Sequence, residues 1–210
     1  MITLDIADEL TIVPAAAISL EVTGPFAAGV PTDGRNLVWR ALECVERPAA
    51  VTLDKRMPSG GGLGGGSADA AAVLRWAGVD DLDVAVGLGA DVPFCLVGGR
   101  ARVGGIGEVV EPLPPRPLTV TLIVPPLHVS TPAVYAAWDA LGADDPARSD
   151  ERNDLTAAAM LVEPRLVHWQ ERIADCCGVM PTLAGSGATW FVEGEHEDAL
   201  APVQNEGATV

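Results

Sequence analysis

The sequence is poor in basic residues, and this scarcity limits what the protein can bind. Its 210 residues include 13 lysines and arginines against 29 aspartates and glutamates, for a formal net charge of −16 at pH 7. Such a surface repels nucleic-acid phosphates and anionic membranes, so we expect neither as a partner. Lys55 is the only lysine, which excludes mechanisms that need two. A phosphorylated small molecule is compatible with this charge, because backbone N–H groups bind phosphate whatever the net charge.

The chain also lacks long apolar runs and any regular cysteine pattern. No stretch approaches the roughly 20 apolar residues that cross a bilayer. The first ten residues, MITLDIADEL, have neither the basic nor the apolar region of a signal peptide. The cysteines form no CxxC pair, which favours free thiols in a reducing compartment. The sequence therefore predicts a soluble cytoplasmic protein with free cysteines, namely Cys44, Cys95, Cys176 and Cys177.

Apolar residues make up 49% of the chain, enough for a buried core in one large domain or two small ones. Predicted strands precede the first helix, and strands and helices then mix without strict βαβ alternation, which favours an α+β fold. The predicted strands cover residues 2–6, 10–13, 18–22, 50–53, 94–97, 100–103, 109–113, 118–124 and 189–192, with a hairpin turn at residues 98–99. The predicted helices cover residues 36–45, 82–88, 132–141 and 164–177, with another from residue 67 and a polar loop over residues 142–152.

The strongest local signal is the segment PSGGGLGGGSAD, residues 58–69, between a predicted strand and a predicted helix. Glycine loses more backbone freedom on folding than any other residue, so six glycines in one loop are costly. The close approach of backbone N–H groups to a bulky anion would justify that cost, and the N-terminus of the next helix favours negative charge at the same point. The segment therefore predicts a phosphate-binding loop. The alternative from composition alone is a flexible turn.

Ser67, directly after the glycines, has two alternative roles. Ser67 is placed to cap the helix, with Asp69 in its first turn. The Ser67 hydroxyl could instead face a phosphate or a bound Mg²⁺.

The loop is not a Walker A motif, because no GK[ST] follows it. It is not a Rossmann fingerprint either, since no acidic residue closes a βαβ unit at the expected distance.

Residues 51–74, VTLDKRMPSGGGLGGGSADAAAVL, resemble the second motif of GHMP kinases. The match has the form PxxxGLGGGSxxAA that marks the 4-diphosphocytidyl-2-C-methyl-D-erythritol kinases. The resemblance implies that Lys55 lies near the nucleotide base, and that Asn36, in a segment similar to the family's NLxxRA helix, borders the adenine pocket. It also implies that the ATP phosphates are wrapped by Pro58, Ser59, Gly60, Gly61, Gly62, Leu63, Gly64, Gly65, Gly66, Ser67 and Ala68.

Asp91 is the candidate catalytic residue. It lies in GADVPF, between a helix predicted to end at a glycine and a strand led by a proline, where a rigid chain reversal can aim a carboxylate. Transfer of a phosphoryl group to an alcohol needs a group that accepts the hydroxyl proton. A turn-capping aspartate is the alternative. The segment resembles the catalytic segment of the same family, and Asp91 matches the catalytic aspartate.

A third motif precedes the last predicted strand. Residues 183–189, LAGSGAT, are by themselves a small-residue turn, but they resemble the third GHMP motif, usually SGSGA or TGTGA, with Ala184 in place of the first hydroxyl residue. Residues 98–114, 125–139 and 153–155 also resemble the diphosphocytidyl kinases in order and spacing. The resemblance implies substrate contacts from Thr131, Gly185, Ser186 and Gly187.

The resemblance implies a two-lobed GHMP kinase fold of the α+β class. An amino-terminal lobe like ribosomal protein S5 domain 2 is expected over residues 1–114, and a ferredoxin-like lobe over residues 115–210, with ATP and acceptor in the cleft between them. The implied reaction is Mg²⁺-dependent transfer of the ATP γ-phosphate to the 2-hydroxyl of 4-diphosphocytidyl-2-C-methyl-D-erythritol, with Ser67 as a candidate Mg²⁺ ligand. This step belongs to non-mevalonate isoprenoid synthesis.

The family usually begins with a PAKxNLxL strand and a DGYH segment, and Met1 matches a position just after them. We therefore expect an incomplete amino-terminal lobe, with weak ATP binding and slow or no phosphorylation by the chain as given, and activity in an upstream-extended form. Two alternatives stay open: a GHMP kinase for mevalonate, homoserine or a sugar, or a catalytically impaired nucleotide-binding paralogue. The sequence also leaves open a monomer or a homodimer. We expect ordinary surface or core roles for His128, His168 and His196.

Overall fold

The computed structural model describes residues 1–142 and 153–210. The chain divides into two compact units: the first comprises residues 1–59 and 64–116, and the second comprises residues 60–63 and 117–210. Part of the glycine loop thus belongs to each unit. The predicted polar loop at residues 142–152 lies, from residue 143 onward, outside the described residues.

The first unit contains a three-stranded sheet with β3 at its centre. The antiparallel partner of β3 is β1, and its parallel partner is β2. Alternate residues of β3 are buried, as expected for a strand with one face on a core. The strands are β1 (Glu9–Pro14), β2 (Ser19–Thr23) and β3 (Ala49–Asp54).

Four helices and a hairpin complete the first unit. The side chain of Asp81 caps α3, while Gly78 ends α2 in the left-handed conformation that glycine adopts readily. Apolar residues of the sheet and of all four helices form one core, to which Ala70 and Ala71 add close-packed small side chains. The helices are α1 (Leu37–Cys44), α2 (Gly65–Ala77), α3 (Leu82–Leu88) and α4 (Val92–Val97), and the hairpin strands are β4 (Ala101–Gly104) and β5 (Val109–Pro112).

Three sequence predictions in the first unit are wrong. Residues 94–97 are helical, because Pro93 lies in the first turn of α4, where its fixed φ suits a helix. Gly98 consequently ends α4 and is not part of a hairpin turn. Residues 2–6 form no strand and make only an isolated bridge from Ile2 to Arg100. By contrast, α3 spans the predicted residues 82–88.

The second unit has its own sheet and core. Its strands run in the order β6-β8-β7, all antiparallel. The fully buried Trp190 lies on the central strand, among Ile123, Leu166 and Ile173. The elements are β6 (Val120–Ile123), α5 (Thr131–Ala140), α6 (Thr156–Val162), α7 (Arg165–Cys177), β7 (Thr182–Leu183), β8 (Trp190–Glu193) and α8 (Ala201–Asn205).

The helices predicted over residues 132–141 and 164–177 are confirmed as α5 and α7. Three short elements, α6, β7 and α8, were not predicted, since runs of two to seven residues carry little periodicity. Among the residues that the structure describes, no helix is long and apolar enough to cross a membrane.

The core of the second unit can be tested with two leucines. Leu166 on α7 is fully buried, whereas Leu161 on α6 is 62% exposed. We expect Leu166→Ala to lower the free energy of unfolding by about 2–5 kcal/mol, since it leaves a cavity. Urea unfolding is the measurement. The matched variant Leu161→Ala should change stability by less than about 0.5 kcal/mol, as for exposed sites in general. Equal losses in the two variants would contradict the assigned core.

Candidate active site

The helix α2 begins without a side-chain cap. Its N-cap is Gly64, which has a φ of 69° in the left-handed region, and no side chain accepts a hydrogen bond from the first turn there. The first N–H groups of a helix have no acceptor inside the helix, so in α2 they are available to an anion. The predicted Ser67 cap is therefore wrong: Ser67 is the third residue of the helix, and Asp69 lies beyond its first turn.

A buried ion-pair cluster lies directly beside this helix start. The Lys55 ammonium contacts the carboxylates of Asp8 and Asp69, with 2.9 Å between its Nζ and Asp69 Oδ2. Lys55 is only 2% exposed and Asp69 only 4%. A Cβ on Gly65 would lie 3.2 Å from Lys55 Nζ, so the first residue of α2 rests against the ammonium. We call Asp8, Lys55 and Asp69 the lysine cluster.

Backbone groups complete the lysine cluster. The second carboxylate oxygen of Asp8 accepts hydrogen bonds from the backbone N–H groups of Arg56 and Met57, at 2.6 and 2.7 Å. Burial raises the pKa of Asp69 to about 6. Loss of water destabilises the ionised carboxylate by more than the positive charge of Lys55 stabilises it. The cluster ties the end of β3, residue 8 and α2 together.

The Asp91 carboxylate lies beside the start of α2. Its Oδ2 is 3.9 Å from the position that a Cβ on Gly64 would occupy, which puts the carboxylate close to the N-cap of α2. No ion pair joins Asp91 to any residue within the described ranges. Burial alone raises the pKa of Asp91. Its carboxyl group thereby becomes a stronger proton acceptor than an exposed aspartate.

Asn36 has a clear local role. Its Oδ1 accepts a hydrogen bond from the N–H of Val38 at 2.9 Å, and its Nδ2 donates to the carbonyl of Pro31 at 2.8 Å. Both ends of the amide therefore hold the start of α1. The next residue, Leu37, contacts the start of α2, since its Cδ1 lies 3.8 Å from the Cβ position of Gly66. Contact of Asn36 or Lys55 with a nucleotide base stays a prediction.

In the second unit, residues 60–63 of the glycine loop pack against the third motif. A Cβ on Gly62 would overlap the carbonyl oxygen of Ala184 and lie 3.0 Å from its carbonyl carbon. The N–H of Thr189 donates to the carbonyl of Gly61 at 3.2 Å. The two segments, separated by more than a hundred residues in sequence, thus form one backbone surface.

Two hydroxyl groups meet beside this surface. Thr131 Oγ1 and Ser186 Oγ are 2.7 Å apart. Asn153 holds the turn of the third motif by donating to the carbonyls of Leu183 at 2.8 Å and Gly185 at 2.7 Å. The structure therefore brings the predicted Thr131 together with Gly185, Ser186 and Gly187.

Sequence reasoning missed three residues of these surroundings. Asp8 belongs to the lysine cluster, but 47 positions separate it from Lys55 and no local pattern marks it. Asn153 was noted only as part of a segment similar to the family. His128 was expected to have an ordinary role, yet its ring lies 3.2 Å from the Cβ position of Gly60. Its place in the HVSTP segment, three residues before Thr131, was the available signal.

The comparisons with known proteins agree with these motifs. The family of GHMP kinases N terminal domains matches residues 36–99. A relative from Jannaschia sp. (strain CCS1), named 4-diphosphocytidyl-2-C-methyl-D-erythritol kinase, is 42% identical over 207 residues, which cover 89% of this chain and 75% of the relative. The chain belongs to the 4-diphosphocytidyl-2-C-methyl-D-erythritol kinase family.

Further members of this family are similar over most of the chain. A relative of the same name from Paramagnetospirillum magneticum is 39% identical, with 97% of this chain and 82% of the relative covered. A crystal structure of 4-(cytidine 5'-diphospho)-2C-methyl-D-erythritol kinase aligns with a TM-score of 0.69 and 35% identity, covering 96% of this chain and 84% of that one. The predicted kinase class and the two-lobed GHMP kinase fold are thus confirmed.

The lysine cluster predicts a specific pH dependence of stability. The pKa of Asp69 is about 6 in the folded chain against an ordinary 3.8. As the pH falls from 7 to about 4, the folded state therefore takes up this proton before the unfolded state does. We expect the wild type to gain about 1–3 kcal/mol of unfolding free energy relative to Asp69→Asn across that interval.

Urea titrations of the two proteins at several pH values provide the measurement. The comparison cancels the other carboxylates, which both proteins share. A difference in unfolding free energy that stays constant between pH 7 and pH 4 would show that Asp69 is ionised in its usual range and would contradict the cluster as described.

Proposed function

We propose that the chain transfers the γ-phosphoryl group of ATP to the 2-hydroxyl of 4-diphosphocytidyl-2-C-methyl-D-erythritol, a step of non-mevalonate isoprenoid synthesis. The observation that carries the proposal is the position of a buried carboxylate, Asp91, beside the uncapped N-terminus of α2. A proton acceptor and an anion-binding helix end thereby lie side by side. These are the two elements that phosphoryl transfer to an alcohol requires.

The glycine loop and α2 are proposed to hold the ATP phosphates. Free N–H groups of the first turn of α2 donate hydrogen bonds to phosphate oxygens, and the helix dipole adds a favourable field. This binding needs no lysine at the phosphates, which suits a chain whose single lysine is enclosed between Asp8 and Asp69. The lysine cluster packs against the start of α2, and its proposed role is to hold those N–H groups in position.

Asp91 is proposed as the general base. Its carboxylate accepts the proton of the 2-hydroxyl while the hydroxyl oxygen forms a bond to the γ-phosphorus. The bond from the γ-phosphorus to the bridging oxygen breaks, and ADP leaves with that electron pair. The raised pKa of Asp91 supports this role, because a stronger base takes the proton more readily.

The donor set beside the helix start is compatible with Mg²⁺ carried by ATP. Within the described ranges, no group of three or more His, Cys, Asp or Glu side chains could hold a metal ion alone. The Ser67 hydroxyl is a hard oxygen donor, which Mg²⁺ accepts alongside phosphate oxygens. When bound, the ion neutralises charge on the phosphates. Asp69 is unsuitable as a ligand because Lys55 already occupies its carboxylate.

Residues of the second unit are proposed to bind the acceptor. Thr131 and Ser186 offer two hydroxyl groups, and the turn at residues 185–187 offers backbone donors. Asn153 keeps this turn in place through its two hydrogen bonds to carbonyl groups. Hydroxyl groups and backbone N–H groups suit a polyhydroxylated, phosphorylated acceptor.

The same proposal includes the bounds of the two lobes, the small-molecule partners and the cellular location. We assign residues 1–114 and 115–210 to the two lobes of the kinase fold, and ATP and the acceptor as its small-molecule partners. A cytoplasmic location is supported by the cysteines, all four of which lie in the described ranges and are free.

A coupled assay of ADP release tests the proposed function. We expect turnover with 4-diphosphocytidyl-2-C-methyl-D-erythritol and little with homoserine, mevalonate or galactose. Asp91→Asn should lower kcat by about 10²–10⁴-fold, since the amide cannot accept the proton. ATP affinity, measured by calorimetry, should change little in this variant. Turnover of another acceptor in preference, or full activity of Asp91→Asn, would overturn the proposal.

The pH profile of the same reaction gives a further prediction. The base must be ionised, and burial raises the pKa of Asp91. Consequently kcat/KM should fall as the pH decreases, and the apparent pKa of this acid limb should lie above the 3.8 that is usual for aspartate. The Asp69→Asn variant separates the two raised carboxyls: the acid limb should persist in it. Loss of the limb in that variant would assign the titration to Asp69.

A further inference from the structure

The turn between β4 and β5 contacts the chain immediately before Asp91. Gly107 in this turn is buried and has a φ of 121°, which side-chain-bearing residues rarely adopt. A Cβ at this position would overlap the carbonyl oxygen of Ala90 and lie 2.7 Å from its carbonyl carbon and 2.9 Å from its Cα. The backbone of residue 107 therefore packs directly on the peptide that links Ala90 to Asp91.

The turn that carries Gly107 is itself well held. Its two strands pair up to Gly104 and Val109. The N–H of Gly107 donates to the carbonyl of Gly104 at 3.1 Å. The Glu108 carboxylate folds back and accepts a hydrogen bond from the N–H of Ile106 at 2.7 Å. The hairpin thus presents a fixed surface to Ala90.

The segment on the other side of this contact is tightly turned. The N–H of Val92 donates to the carbonyl of Gly89 at 3.0 Å, and the N–H of Cys95 donates to the carbonyl of Asp91 at 3.0 Å. A displacement of the Ala90 carbonyl is therefore passed to Asp91 within one peptide unit. On the carboxyl-terminal side of Asp91, Arg75 of α2 holds α4 by donating to the carbonyl of Cys95 at 2.7 Å.

We propose that Gly107 is a positioning residue for Asp91, and that the β4–β5 turn holds the carboxylate at its place beside Gly64. The inference rests on the proposed role of Asp91 as the general base. Substitution of Gly107 by alanine must displace either the turn or residue 90. Displacement of a catalytic carboxylate by about 1 Å can lower the rate of the catalysed reaction by up to 10²-fold.

Gly107→Ala and Gly104→Ala form a matched pair for the test. At Gly104 a Cβ would meet only Val109 Cβ at 3.8 Å, an ordinary contact. We expect Gly107→Ala to lower kcat by about 10- to 100-fold with an unchanged KM for ATP, and Gly104→Ala to keep the wild-type kcat. In an Asp91→Asn background, Gly107→Ala should cause no further loss. Equal effects of the two alanines, or a full additional loss in that background, would overturn the inference.

A second measurement does not depend on turnover. The side-chain carboxyl of Asp91 can be titrated by carbon-13 NMR, its signal being the one that Asp91→Asn removes. Gly107→Ala should shift this titration and Gly104→Ala should not. The titration needs no turnover, so it decides the position of the carboxylate even if the proposed function fails.

A third pair of variants covers the case in which Gly107→Ala does not fold. Glu108→Ala removes the acceptor for the Ile106 N–H, whereas Glu108→Gln keeps an acceptor oxygen at that place. The Ala variant should lower kcat and shift the Asp91 titration in the same direction as Gly107→Ala, and the Gln variant should restore both. Identical behaviour of the Ala and Gln variants would contradict a turn that positions Asp91.

Discussion

The start of α2 depends on one buried ammonium group. Lys55 is enclosed between Asp8 and Asp69, and Gly65, the first residue of the helix, lies against it. Removal of the ammonium would leave two carboxylates buried without a cation, a change that typically costs about 3–5 kcal/mol. Because the proposed phosphate site consists of the N–H groups of this same helix turn, its geometry depends on the lysine cluster even if no atom of the cluster contacts the nucleotide.

The first unit uses two buried carboxylates in different ways. Asp69 is paired with a cation, so its proton equilibrium is linked to the stability of the helix start. Asp91 has no cationic partner among the described residues, and burial alone raises its pKa. The Asp69 carboxylate is already engaged by Lys55 and is therefore not free to contact a substrate hydroxyl, whereas no cation among the described residues engages Asp91. These different surroundings support a structural role for Asp69 and the proposed role of general base for Asp91.

The sequence predicted the local features well and the distant ones poorly. The glycine loop, Asp91 and α3 could be placed because each depends on neighbouring residues. The lysine cluster could not, since Asp8 and Lys55 are 47 positions apart and meet only when β1 and β3 pair. Residues 94–97 were assigned to a strand because a short apolar run fits both structures, and Pro93 decided for a helix. Asn36 was predicted near adenine from resemblance, while its cap geometry is visible only in the structure.

The structure also changes the explanation for some of the glycines. Their density in residues 58–69 was attributed to close approach of a phosphate, and Gly64 at the uncapped helix start fits that account. Gly62 has a second reason, because any side chain there would overlap the Ala184 carbonyl of the third motif. Gly107, outside the loop, is required by the Ala90 carbonyl in the same manner. At both Gly62 and Gly107 backbone packs on backbone, so a side chain at either position would displace the main chain of residue 184 or of residue 90.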